Sequence, residues 1–297
     1  MRAEQAPPAT GANTAPPMEL AVAEQGSFYL RPTLSLDEAR GHAAHYRTSA
    51  FGGITQIFSR PKPEDITVAS NGLRYDPYWH VSAHLRVVYD RNETYRFPIA
   101  GPDHVVSLTL GATTFPIEGE RKDRAIAVTA LAHCVREIRK ELWLDAATGD
   151  PSAARPIEAA EPIDLASFAP ADASIVDPTV RASAVIRQIL GDDVRPPEAD
   201  AYHEERADID RLDLYFWPVY AFDLNWTAKG KTASITVDGR TGEIVQSKSS
   251  MHPAIVKLLN KETLFDIGSE TLNLVVPGGA IPLKLVRALR RRGAHAE

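Results

Sequence analysis

Residues 217–245 read WPVYAFDLNWTAKGKTASITVDGRTGEIV. From Tyr220 to Trp226 every second side chain is large and apolar, which is the period of a strand with one buried face. Lys229 and Gly230 supply a tight turn, and the β-branched segment after them returns along the first strand. The stretch therefore predicts an antiparallel hairpin that covers a core with one face.

The hairpin ends in a turn that can be stabilised by its own residues. Asp238 can accept hydrogen bonds from the backbone two residues further on, and Gly239 and Gly242 tolerate positive φ. The aspartate and the glycines thus have a conformational reason to be present, and they indicate no catalysis.

The order of an aromatic strand, a Gly-Lys turn, a β-branched strand and Val-Asp-x-x-Thr-Gly-Glu-Ile-Val resembles the PepSY module over roughly residues 215–246. That family consists of small helix-plus-sheet domains in peptidase propeptides and in membrane-linked or secreted regulators. The resemblance implies binding or inhibition, and it brings no catalytic residues with it.

A turn with a similar sequence occurs earlier in the chain. Residues 145–150 read DAATGD and residues 238–243 read DGRTGE, and each copy lies downstream of a strand with a Pro-aromatic entrance. We therefore predict an α+β fold with antiparallel sheets that are each packed by helices, built by internal duplication of a PepSY-like helix-plus-sheet unit.

Three helices are expected before the hairpin. A capping box at Ser35–Glu38 predicts a helix that ends near Tyr46. Asp177-Pro178 is typical of a helix start and Gly191 of a helix end. A short helix is expected around His203–Ala207.

Strands are expected where residues alternate in polarity. Residues 79–89 alternate, Asp90–Glu93 predicts a hairpin loop, and residues 95–99 are expected to pair back. Residues 125–144 contain good helix formers but also fit an edge strand, so both alternatives stay open.

Composition shifts divide the chain into five parts. We expect a disordered tail (1–25), an N-terminal α+β domain (27–145), a linker or long loop (146–174), a C-terminal PepSY-like α+β domain (175–250), and a C-terminal arm with a basic terminal helix (251–297).

The overall composition excludes several classes. A net charge of −6 argues against a nucleic-acid binder, which is usually basic. Cys134 is the single cysteine, which rules out an internal disulfide and predicts no disulfide-linked partner. No stretch has the length and apolarity of a membrane-spanning helix, and the N-terminus lacks a signal-peptide core. We expect a cytoplasmic protein.

Candidate catalytic and metal-binding residues are few. His80 and His84 have the spacing of a helical zinc pair, but in a strand they lie roughly 13 Å apart, which is too far to share one metal ion. Cys134 follows His133, and adjacent side chains point apart, so the two do not form a nucleophile–base pair.

Acidic and glycine-rich stretches also lack the spacing of known sites. The acids between 204 and 213 have no calcium-loop pattern, and the glycine pairs have no phosphate-loop or dinucleotide pattern. We predict no catalytic, cofactor-binding or metal-binding residues and no cofactor. The acids are Glu204, Glu205, Asp208, Asp210 and Asp213, and the glycine pairs are Gly52-Gly53 and Gly278-Gly279.

The strongest candidate site in the sequence is a basic terminal helix that begins at Pro282. Its positive charges would dock on an acidic partner surface or contact an anionic membrane weakly. The predicted partner-binding residues are Lys284, Arg287, Arg290, Arg291 and Arg292.

Two hypotheses about function remain. The first is a non-enzymatic protein-binding or scaffold protein, part of a larger assembly, that uses its sheet surfaces and the basic docking helix; a PepSY-like peptidase regulator is a variant of it. The alternative is a hydrolase-type enzyme whose site is assembled from distant residues such as His80, His84, Cys134 and Asp223.

Overall fold

The structure of the protein is a computed structural model in which strands predominate. Fourteen strands in the described part of the chain pair into one large, curled, mixed sheet. The residues described are 18–51, 62–191, 199–245, 261–267, 273–276 and 279–286.

The strands differ greatly in length, and three of them dominate. They are β1 (Met18–Val22), β2 (Gly26–Tyr29), β3 (Ile66–Pro98), β4 (Ser107–Leu110), β5 (Thr113–Glu118), β6 (Ala125–Asp145), β7 (Pro151–Ser152), β8 (Glu161–Pro162), β9 (Ala173–Ile175), β10 (Ala201–Trp226), β11 (Lys231–Asp238), β12 (Ile244–Val245), β13 (Asn273–Val276) and β14 (Gly279–Val286). The helices are α1 (Leu36–Tyr46), α2 (Ala182–Leu190) and the single turn α3 (Lys261–Leu264).

The α+β fold predicted from the sequence is wrong. The long strands β10, β3 and β6 lie side by side, and β3 pairs with β10 from Ile66 to Asp90 and with β6 from Tyr78 to Pro98. The segments predicted as separate domains, 27–145 and 175–250, therefore share one sheet. The reason is that β10 finds its hydrogen-bond partner far away in sequence, which local patterns do not show.

Two local predictions fail for the same reason. The expected loop at Asp90–Glu93 is a continuous part of β3, whose pairing with β6 passes through it without a register shift. The expected helix at His203–Ala207 lies within β10, where β3 supplies the partners. Residues 125–144, which fit either a helix or a strand, form β6.

The helix α1 is confirmed together with its capping box. The Ser35 hydroxyl accepts the backbone N–H of Glu38, and the Glu38 carboxylate accepts the backbone N–H of Ser35 at 2.7 Å. The helix α2 ends at Gly191 as predicted, but it begins after Arg181 and not at Asp177-Pro178. Before the helix, the N–H groups of Thr179 and Val180 donate to the carbonyl of Ala146 in a turn.

The two echoed turns have the same hydrogen bonds. In each of them the aspartate Oδ1 accepts the N–H groups of the residues two and three further on, and the threonine hydroxyl accepts the N–H of the closing acid. Gly149 and Gly242 have φ values of +82° and +76°. The shared sequence pattern therefore encodes a shared conformation.

Each turn also anchors a helix, and the helix comes from the other half of the chain. The carbonyl of Gly239 accepts N–H groups from Thr33–Leu34, just before α1, and that of Ala146 accepts them from Thr179–Val180, just before α2. Each helix thus packs on a hairpin that is distant in sequence. The prediction that each helix packs on the hairpin that follows it in the chain is therefore wrong.

The two longer helices pack on the same face of the sheet, and an aromatic cluster covers the other face. Trp79, Leu214 and Phe216 lie under α2, while Tyr220, Phe222 and Ile235 lie under α1. The opposite face buries Leu30, Tyr78, Trp143, Tyr215, Trp217 and Val219 beneath the loop around Ile157 and Ala160.

Described segments near each end of the sequence join the sheet, which corrects two further predictions. Residues 18–22 form β1, with Met18 and Leu20 fully buried, so the last part of the predicted disordered tail (1–25) is ordered. Residues 279–286 form β14, so the predicted helix from Pro282 is wrong up to Val286. The parallel neighbour β1 provides β14 with backbone partners that a helix would not use.

Candidate functional site

A two-stranded arm is the most distinctive surface of the described chain. We define it as Arg91–Pro98 of β3, Ala125–Ala132 of β6, and the connection 99–124 with β4 and β5. The pairing of β3 with β10 ends at Asp90, so beyond this residue β3 has β6 as its described neighbour.

Exposed large apolar side chains concentrate on this arm. They are between 39% and 76% exposed, whereas comparable side chains in the rest of β3 and in β10 are mostly buried. Exposed apolar patches of this kind mark interaction surfaces. The arm residues are Tyr95, Phe97, Val106, Leu110 and Leu131, and Val135 lies just below them on β6.

These side chains lie on both faces of the arm. Tyr95 pairs with Val128 of β6, and the rings of Tyr95 and Phe97 are 6.5 Å apart on one face. Leu131 and Val135 occupy the alternate positions of β6 and therefore point to the other face. Both faces can therefore offer apolar contacts to a partner.

A buried arginine fixes the tip of the arm. The guanidinium of Arg124 donates to the carbonyls of Gly101, Pro102 and Val105, and its side chain is almost completely buried. Five donors on one planar group can hold several carbonyls of an irregular loop at once. The tip therefore has a defined shape although it buries few apolar side chains.

A carboxylate with two histidines ties the base of the arm together. His133 Nδ1 and His203 Nε2 each lie 2.7 Å from an oxygen of Asp90, so this group links β6, β3 and β10. Hydrogen bonding to His203, and then to His133, holds the pKa of Asp90 below its ordinary value. Cys134 lies next to this group, half-buried and opposite Tyr89.

His80 is a buried, neutral histidine. Its ring stacks on Trp143 at 4.2 Å, and Nε2 lies 2.6 Å from a Glu141 oxygen. The guanidinium of Arg211 lies 3.3 Å from Nδ1 and can only donate, so Nδ1 accepts and the ring proton is on Nε2. Burial lowers the pKa of His80, which agrees with the neutral form.

Arg155 closes the aromatic face near the centre of the sheet. Its guanidinium lies 3.9 Å from the ring centre of Tyr78 and 4.9 Å from that of Trp217, and it pairs with Asp238 at 3.4 Å. Trp217 Nε1 also donates to Asp238 at 2.7 Å. Burial raises the pKa of Tyr78 to about 12, so the phenol stays neutral. Arg155 therefore joins the two rings to the carboxylate of Asp238.

The residues of the enzyme hypothesis do not come together. Asp223 is opposite Ser70 of β3, and Cys134 is opposite Tyr89, which is about 60 Å further along that strand. His80 is buried in the aromatic face, and Asp223 accepts hydrogen bonds from Ser70 and Ser234.

The acidic residues of β10 are engaged in the sheet. Glu204 pairs with Arg86, and Asp208 pairs with Arg206 at 2.9 Å. Asp213 is buried and accepts the backbone N–H of Gly26 at 3.0 Å. Within the described residues there is no group of three His, Cys, Asp or Glu side chains suited to a metal ion.

Of the five residues in the predicted basic site, one lies in the described part of the chain. Lys284 lies in β14 and is exposed. The other four, Arg287, Arg290, Arg291 and Arg292, lie outside the described residues, and so do Gly52-Gly53 and Gly278. A role for this segment in partner binding stays a prediction.

Sequence reasoning missed the arm, although a signal was present. The odd-numbered positions are apolar from Trp79 to Tyr89 and again from Tyr95 to Ile99, on either side of the polar run Asp90–Glu93, and residues 125–135 (AIAVTALAHCV) carry no acidic or strongly basic side chain. A long, uncharged strand pattern without a visible third partner was the available clue.

Comparison of the chain with protein-family models, with curated proteins and with solved structures finds no significant match. The resemblance of residues 215–246 to the PepSY module therefore stays a prediction. None of the helices in the described ranges has the length and apolarity needed to cross a membrane.

Proposed function

We propose that this protein is a non-catalytic assembly protein that binds another protein through its arm. The observation that carries the proposal is the exposure of Tyr95, Phe97, Val106 and Leu110 on a projecting pair of strands. Within the described chain these side chains cover no core, so folding alone gives them no role.

The energetics favour a protein partner. Burying one such side chain contributes roughly 1.5–3 kcal/mol, and a few buried aromatic or aliphatic anchors dominate most protein interfaces. The net charge of −6 and the apolar character of the arm do not suit a nucleic acid. The expected partner surface is an apolar groove or a sheet face.

The arm is also well prepared for binding. Arg124 holds the tip and the Asp90 group holds the base, so less conformational entropy is lost when a partner binds. The resemblance to the PepSY family supports the same class of function, since those modules bind or inhibit.

Site-specific photo-cross-linking in native cells tests this proposal. A photoreactive phenylalanine analogue at position 97 should give discrete cross-linked products with another protein. The matched control is position 68, because Val68 is also an exposed apolar residue of β3 but lies at the opposite end of the strand. Equal products at both positions, or none at position 97, would contradict the proposal.

A further inference from the structure

The outer edge of β6 is open over most of its length. On that side β5 pairs with Ala125 and Ile126, and β7 pairs with Trp143 and Leu144. Between them, residues 127–142 have no partner strand in the described part of the chain. Their outward N–H and C=O groups form a template for another strand.

The first half of this edge, residues 127–135, lacks the usual protection against pairing, whereas charged residues follow from Arg136 to Glu141. Natural edge strands are interrupted by proline, bulges or charges, and segments without them pair readily. Residues 127–135 contain no proline, glycine, acid, lysine or arginine, and the pairing of β6 with β3 has no bulge. Leu131 and Val135 are exposed there.

The arm also needs a further strand for its own stability. A two-stranded ribbon is at best marginally stable in water, and a third strand is usually needed for independent stability. Beyond Asp90 the sheet consists of β3 and β6 with a short contribution from β5.

We infer that the edge of β6 pairs with the same edge of a second copy of the chain, antiparallel and with Val135 opposite Val135 of the second copy. A two-fold axis perpendicular to the sheet produces this isologous contact. It joins two sheets into one and covers the edge from Val128 to Leu142 in both copies.

The register follows from charge and apolar complementarity. His133 lies opposite Glu137 of the second copy, and no pair brings like charges together. Ala132 meets Ile138 and Val128 meets Leu142 on the other face. Leu131 then lies opposite Arg139. Centring the contact one residue earlier would separate His133 from Glu137, and centring it one residue later would place Arg136 opposite itself.

Disulfide trapping tests this register. In a Cys134→Ser background, Val135→Cys should give a covalent dimer on mild oxidation, because directly opposed residues in antiparallel strands have the Cα separation of a disulfide. Thr129→Cys in the same background is the matched control. The cysteine at position 129 would lie about 40 Å from the same residue of the second copy, so this variant should form no covalent dimer.

Sedimentation of the purified full chain tests the contact itself. The wild type should sediment as a dimer, and Leu131→Lys/Val135→Lys should sediment as a monomer with unchanged circular dichroism, since both side chains are already exposed. Val68→Lys should remain a dimer. A wild-type monomer at high micromolar concentration, or equal cross-linking at positions 129 and 135, would overturn the inference.

The inference goes beyond the proposed function, because it concerns the open edge of β6, which overlaps the arm only from Val128 to Ala132, and a second copy of the chain as the partner. A monomeric wild type would leave the cross-links from position 97 as evidence for the arm. If position 97 gave no cross-links, a disulfide-trapped dimer at position 135 would still support the contact between two copies.

Discussion

The strands β3 and β6 run through two different environments. In the body of the molecule, β10 lies beside β3 and helix α2 packs on both long strands, so Trp79 and Leu85 are completely or almost completely buried. On the arm the same strands keep their pairing, but Tyr95 and Phe97 face water. The backbone pairing of β3 with β6 thus continues from the body onto the arm, whereas the burial of their apolar side chains does not.

This difference separates two uses of apolar side chains. In the body they form the core that holds the sheet together. On the arm they add little to folding, and their exposure has a cost unless a partner covers them. Four comparisons between matched residues of the body and the arm test this distinction.

The largest difference is expected between two phenylalanines. Phe216 is fully buried in the body, and Phe216→Ala should lower the free energy of unfolding by about 3–5 kcal/mol. Phe97 is half exposed on the arm, and Phe97→Ala should change it by less than about 0.5 kcal/mol. Urea unfolding measures both, and equal losses would mean that the arm is part of the folding core.

The next difference is expected between the partly buried Arg155 in the body and the buried Arg124 on the arm. Arg155→Ala removes two aromatic contacts and leaves Asp238 without its ion pair, which should cost about 3 kcal/mol in unfolding free energy. Arg124→Ala should cost less than about 1 kcal/mol globally, because it holds only the tip.

Hydrogen exchange distinguishes the two arginines further. Arg124→Ala should increase amide exchange within residues 99–124 alone, whereas Arg155→Ala should increase it across the sheet. A global increase in the Arg124 variant would show that the tip is coupled to the body.

Two glycines with positive φ give a smaller contrast. At Gly242, which has a φ of +76°, an added Cβ would lie 2.9 Å from His42, whereas at Gly111 on the arm tip, with a φ of +61°, it would meet nothing within 4 Å. Gly242→Ala should cost about 2 kcal/mol and Gly111→Ala about 1 kcal/mol, because the backbone strain is shared and the contact is not. Thermal unfolding would rank them, and the reverse order would contradict the packing of α1 on the turn.

The last contrast concerns pH. Burial keeps the pKa of His80 below its ordinary value, so the unfolded chain takes up this proton before the folded protein does. The free energy of unfolding should therefore fall as the pH drops below about 6.5, by up to about 1.4 kcal/mol over the next pH unit.

Replacing His80 tests the origin of that decline. His80→Phe keeps a ring on Trp143 and should remove this part of the pH dependence, while Glu141, Arg211 and Asp213 remain around it. His104→Phe on the exposed arm should follow the wild-type profile. Identical profiles for His80→Phe and the wild type would show that the buried imidazole does not control the decline.

The sequence predicted those parts of the fold that local chemistry controls. The hairpin from Trp217 to Asp238, the capping box at Ser35–Glu38 and the two aspartate turns each depend on neighbours within a few residues. The fold class was wrong because the pairing of β10 with β3, and of β1 with β14, joins residues that are far apart in sequence.

The exposure of the arm side chains could not be predicted, because it depends on whether a third strand lies beside β3 and β6. The polar run Asp90–Glu93 is typical of a turn, but the Asp90 carboxylate binds two histidines and Asn92 donates to Asp200 across the sheet. The alternation at Tyr95 and Phe97 predicts a strand in either case. Only the end of β10 pairing at Asp90 shows that these side chains lie uncovered.

The yield of photo-cross-linking from position 97 relative to position 68, in cells, tests the central claim most directly. A partner that binds the arm predicts one or a few discrete products from position 97, their loss when Tyr95→Ser accompanies the label, and none from position 68. Products of equal yield at both positions, or none at position 97, would contradict the assignment of the arm as the binding surface.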